Sequence, residues 1–166
     1  MTAITTSIPP TPLVRSRGEG ARRWFAGGGM HTWLATEQNT AGAFLLWEDD
    51  MVAGKCSPLH AHAQADETFY VLDGEIVFHL DGVEHRMTAG GVAIAPRGVP
   101  HAFLVLSATA RLLFLHTPGC CQAFYWEAST PLAPGATGGE VDFDVVMAAA
   151  QRTGGMTMLG PPPFTR

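Results

Sequence analysis

His60 and His62 stand one residue apart. In an extended chain residues i and i+2 point to the same face, so the two imidazoles can reach one point in space. Glu67 follows five residues later, beyond a short polar stretch from Ala63 to Asp66 that can turn it back beside them. His101 arrives from a distant turn, directly after Pro100. Three neutral imidazoles and one carboxylate make a donor set that suits iron, nickel, manganese, copper or zinc, and it leaves positions open for substrate or oxygen. Residue types alone do not decide the matter. A histidine in a strand is commonly a hydrogen-bonded packing residue, and a lone glutamate is commonly solvated.

The elements that must position these side chains read as strands. Met30 to Thr36 and Ala43 to Trp47 are apolar runs, with Gly27-Gly28-Gly29 read as the turn before the first. From Gly54 onward turn signals recur every eight to twelve residues or so, the spacing of an all-β sandwich or barrel. Asp73-Gly74 and Asp81-Gly82 are hairpin dipeptides. Between them Ile76, Phe78 and Leu80 alternate onto one face. Leu112 to His116 is almost wholly apolar and is expected to be buried on both sides. Residues 1–23, with Pro9, Pro10 and Pro12, read as a flexible arm. The barrel is assigned to 24–128 and a C-terminal tail with a short helix to 129–166.

Composition excludes whole classes of partner. The chain has 166 residues, 46% hydrophobic and 15% charged, with a net charge of −5 and no block of Lys or Arg. Nucleic acid needs a clustered basic footprint, which is missing here. No apolar run is long enough to span a bilayer, so no membrane contact is expected. Three cysteines, two of them adjacent (Cys120 and Cys121), argue against a disulfide framework and for reduced thiols. With no signal-peptide pattern at the start, the expected location is the cytoplasm.

The glycine and proline framework around the four candidate ligands adds more. Gly54-x5-His60-x-His62-x4-Glu67-x6-Gly74 and Gly90-x5-Pro96-x-Gly98-x2-His101 resemble the two motifs of the cupin superfamily at nine fixed positions. The motifs cover residues 54–105, and flanking strands extend the resemblance from about Trp33 to His116. One departure is Val105, where the second motif usually closes with Asn, and Gly91 stands where many cupins carry Asp. The resemblance implies an all-β cupin barrel (a double-stranded β-helix or jelly roll) holding one divalent transition metal on His60, His62, Glu67 and His101. It also implies a homodimer, for which the apolar strands near Trp33 and Trp47 offer an interface.

Cupins carry many activities, so function must come from the site. The cavity candidates are aromatic: Phe69, Phe78, Phe103, Phe114 and the tail cluster Phe124-Tyr125-Trp126. No Lys or Arg cluster accompanies the motifs, as a sugar-phosphate or oxalate would require. His116 to Gly119 followed by the aromatic tail is similar to small bacterial cupins related to quercetin 2,3-dioxygenase. That resemblance implies a metal-dependent dioxygenase acting with dioxygen on a small aromatic, flavonol-like or polyketide-like enol, with Glu67 as ligand and general base. A Lewis-acid cyclase or isomerase of secondary metabolism is the alternative, and a non-catalytic small-molecule binding protein is a third reading. Among the other histidines, His79 is expected to face outward, His85 to pack against the wall and His116 to come near the cavity; His31 has no evident partner.

Overall fold

A computed structural model describes residues 10–133, 135–136 and 142–165. In chain order the elements are β1 (Ala21–Phe25), β2 (Gly29–Ala35), α1 (Glu37–Thr40), β3 (Leu45–Val52), β4 (Leu59–Ala61), β5 (Asp66–Asp73), β6 (Glu75–Leu80) and β7 (Val83–Thr88). They continue with β8 (Val92–Ala95), β9 (His101–Val105), β10 (Thr109–Thr117), α2 (Gln122–Glu127), β11 (Ser129–Pro131), α3 (Phe143–Thr153) and β12 (Thr157–Gly160). Two antiparallel sheets result, one in the order β11-β1-β2-β3-β10-β5-β8 and the other β12-β4-β9-β6-β7. This is the two-sheet jelly roll expected from the sequence.

The core lies where the inward faces meet. On β3 the buried positions are Leu45, Trp47, Asp49 and Met51, a strict period of two in which a carboxylate takes a core position. Trp33 and Trp47 stack with ring centroids 4.9 Å apart as a cross-strand pair, and both are buried. Their side chains therefore belong to the core and not to any subunit interface. Ile76 and Phe78 on β6 are fully buried, as their alternation requires.

Several details differ from the sequence reading. Asp81-Gly82 does close a hairpin between β6 and β7, with both residues at positive φ. Asp73-Gly74 does not, because β5 and β6 lie in different sheets. Gly74 is instead the point where the chain changes sheet, pressed so closely on Ser107, Thr109 and Ala110 that a Cβ would collide with them. β10 alternates between buried and half-buried positions and is not buried on both sides. His85 is exposed on β7 and does not pack against the wall. β1 starts at Ala21, inside the expected arm, whose first nine residues lie outside the described set.

The tail also does more than follow the barrel. β11 pairs with β1, and β12 pairs with β4, so residues beyond 128 extend both sheets. α3 begins under an Asp142 cap that accepts from the amides of Asp144 and Val145, and it ends at Gly154 in the left-handed conformation. Its inward residues Val146, Ala149 and Ala150 are buried. No helix among the described residues is long and apolar enough to cross a membrane.

Candidate metal centre

The four residues singled out by spacing come together. His60 on β4 lies directly opposite His101 on β9, and Glu67 on β5 faces them from the other sheet. His62 follows β4 by one residue. One possible ligand atom from each lies within 4.8 Å of those of the others, and all four side chains are buried. Two turns fix this arrangement. Asp66 accepts from Arg97 at its amide (2.8 Å), Nε (3.1 Å) and Nη2 (2.9 Å), tying the Glu67 strand to the turn that presents His101. The Arg97 guanidinium holds the exposed Asp66 carboxyl down at about 2. The Gly98 amide, at positive φ, donates to the His62 carbonyl at 2.8 Å.

The imidazole tautomers follow from backbone carbonyls, which can only accept. His60 Nδ1 lies 2.8 Å from Pro58 O, His101 Nδ1 2.8 Å from Val99 O, and His62 Nδ1 2.6 Å from Gly155 O. Each Nδ1 must carry the proton, which leaves each Nε2 as a bare lone pair. All three lone pairs converge on Glu67 Oε2, at 4.0 Å from His60, 3.2 Å from His62 and 2.9 Å from His101. His62 Nε2 is buried with no hydrogen-bond partner. Four acceptors facing one point repel one another unless a cation sits among them, and three Nε2 atoms with one carboxylate oxygen are a divalent transition-metal donor set. The residues fit the group. Where no metal is bound, the Glu67 charge raises the pKa of His62 despite the opposing effect of burial.

Glu67 is divided between two tasks. Its Oε2 faces the imidazoles, while Oε1 lies 2.8 Å from His116 Nε2 and 3.4 Å from the Tyr125 hydroxyl. His116 pairs with Glu67 in register across β10 and β5. Burial alone would raise the Glu67 pKa, but the neighbouring His116 and His62 and the His116 hydrogen bond hold it well below its usual range. Tyr125 is pushed the other way, first by burial and then by the Glu67 charge, so it stays a phenol donor. The expected approach of His116 to the site is thus observed, and Tyr125 reaches it from α2.

A second polar cluster was not anticipated. His31 Nε2 lies 3.4 Å from Asp49 Oδ2, and Lys55 Nζ pairs with the same oxygen. All three are buried and line the same cavity as His60 and Glu67. Gly29 is not a turn residue but the first of β2, and a Cβ there would fall inside Lys55 Nζ and Asp49 Oδ1. One sequence signal existed, since Asp49 alternates with Leu45, Trp47 and Met51 and so takes a core position on β3; that His31 lies opposite it is set by the register of β2 on β3. Lys55 lowers the Asp49 pKa against the contrary pull of burial. A depressed carboxyl stabilises the fold above its unfolded value and loses that contribution as pH falls through the folded one. The urea midpoint of the protein is therefore expected to exceed that of Asp49→Asn at pH 6, and the gap should close below pH 3.8, the usual value for aspartate. A gap constant down to acid pH would contradict the ionised pair.

Aromatic rings, among them Trp47, Phe103, Phe114 and Tyr125, line much of the cavity. Its free space is about 50 Å³, little more than one or two waters occupy. Pro58, Phe143 and Val146 line both this cavity and a wider apolar groove of about 470 Å³ between α3 and β12, so the groove adjoins the cavity.

The two sheets with their inward histidines and glutamate point to a class: residues 47–116 match the model of the cupin domain. Over 131 residues it is 28% identical to quercetin 2,3-dioxygenase of Bacillus subtilis (strain 168), which covers 78% of this chain and 39% of that protein. The chain thus spans about two fifths of that relative's length. Among solved structures, KdgF from Halomonas sp. superposes with a TM-score of 0.59 at 19% identity, covering 65% of this chain and 94% of that one. A predicted oxalate decarboxylase from Thermotoga maritima gives 0.58 at 24% identity, covering 64% and 99%. The polyketide cyclase RemF from Streptomyces resistomycificus gives 0.55 at 24%, covering 64% and 80%. These three likenesses establish the fold.

Proposed function

We propose that the chain is a metal-dependent dioxygenase, holding one divalent transition metal on His60, His62, Glu67 and His101 and acting on a small aromatic or polyketide-like enol. The observation that carries this reading is the convergence of three proton-free Nε2 atoms on Glu67 Oε2 inside an aromatic cavity. The similarity to a quercetin 2,3-dioxygenase supports the reaction class. When bound, the metal supplies Lewis acidity toward a substrate hydroxyl and a redox partner for dioxygen.

The remaining work falls to side chains. Glu67 accepts the proton of the enol hydroxyl. The histidines around Glu67 hold its carboxyl low and make it a weak base, so the hydroxyl must be acidified before the proton moves. Tyr125 and His116 hold Oε1 and fix the direction in which Oε2 points. The aromatic walls formed by Trp47, Phe103 and Phe114 exclude water from the reacting atoms.

Oxygen uptake by the metal-loaded protein with a flavonol is the direct test, run beside Glu67→Gln. Uptake is expected with the native protein, and the variant is expected to keep part of its metal and lose most turnover. Full activity in the variant would remove the base assignment. Turnover without oxygen consumption would point to the cyclase chemistry that the polyketide cyclase neighbour's name describes.

A further inference from the structure

The Lys55, Asp49 and His31 cluster has no task in the chemistry above, yet it lines the same cavity as His60 and Glu67. Buried charge is costly, and a buried ion pair with unfilled valences is a poor stabilising device. This one has several. Among the described residues Asp49 is the sole polar side chain hydrogen-bonded to the Lys55 ammonium, whose other neighbours are the faces of the Phe25 and Phe103 rings, which a hydroxyl oxygen would outdo as acceptor. Asp49 Oδ1 and His31 Nδ1 are both buried without a hydrogen-bond partner. Gly29 keeps the space around the pair open, since any side chain there would displace it.

We infer that Lys55, Asp49 and His31 form a recognition pole that binds a hydroxyl group of the substrate, one distinct from the oxygen that faces Glu67. The inference rests on reading the cavity as a substrate site. The chemistry selects a hydroxyl because the pole offers donors on Lys55 and acceptors on Asp49 and His31, and a hydroxyl both accepts and donates. A carboxylate fits less well. The Lys55 charge is already matched by Asp49, and burial keeps His31 neutral, so a second anion would be desolvated without a counter-charge. The free space admits the end of a molecule and not the whole of one, which leaves the apolar remainder toward the groove at Phe143 and Val146.

Calorimetric titration of the metal-loaded protein with phenol and with toluene tests the pole, because the two probes have the same shape and differ in the hydroxyl. Phenol is expected to bind about tenfold more tightly, the effect of one or two net hydrogen bonds. The double variant Lys55→Met/Asp49→Asn removes both charges together, so folding is not confounded by a stranded ion; it should abolish the preference and leave toluene affinity unchanged. A preference that survives in the double variant, or the absence of any preference in the native protein, overturns the pole. The same titration on protein stripped of metal separates the two readings. A preference lost with the metal places phenol on the metal and overturns the pole, while one that persists supports it even if no oxygen uptake is found with any enol.

Discussion

Replacing His62 with alanine is expected to strip the protein of its metal, lowering affinity by at least about a hundredfold, the upper end of what is lost when a merely supporting partner is removed. In the proposed centre the side chain supplies one of four donors, and it is the one whose Nε2 is buried and unpartnered. Its loss also frees the Gly155 carbonyl, which accepts its other ring proton at 2.6 Å. Plasma mass spectrometry of untagged native protein and variant, purified together, reads the result. Near one equivalent in the first and almost none in the second is the expected outcome. Equal metal in both would show that the ion resides elsewhere.

The second large effect lies in packing. Trp47→Ala is expected to cost about 3–5 kcal/mol, a large share of the roughly 5–15 kcal/mol that keeps a domain folded. Trp47 is 1% exposed and lies against five rings: Trp33 at 4.9 Å, Phe114 at 5.0 Å, Tyr125 at 4.6 Å, His116 at 5.1 Å and His31 at 6.0 Å between centroids. No neighbour can collapse into the volume it leaves, because each is held by its own strand or helix. Urea unfolding measures the cost, with Trp47→Phe expected to recover most of it. A loss under about 1 kcal/mol would mean that the aromatic cluster repacks freely.

Much of this was legible in the residues. The i, i+2 pair His60 and His62, the glycine and proline spacing and the alternation of β6 all pointed to the barrel and to four converging ligands. These features are local, or depend on turns whose residues are chemically marked. What escaped depends on long-range register. Asp73-Gly74 looks like a hairpin in sequence, but whether two strands pair or part is decided by the sheet each joins. Lys55, Asp49 and His31 meet only because β2 and β3 pair in one register with the segment after β3 folded back over them. Gly29 reads as one of three flexible glycines until the ion pair beneath it is seen. Tyr125 lies on a short helix that no motif links to Glu67.

The bond from His62 Nδ1 to Gly155 O, together with the pairing of Met158 to His60, joins the ligand-bearing strand to the end of α3 and to β12. Were a metal at the proposed centre to hold the His62 ring, its binding and the docking of that C-terminal segment would be linked, each favouring the other by the same factor. A metal that orders His62 deepens the protection of the β12 amides, and any ligand that lifts α3 to enter from the groove loosens the metal by as much as it is itself weakened by it. The barrel's last strand is in this sense a thermodynamic gauge of what its centre holds.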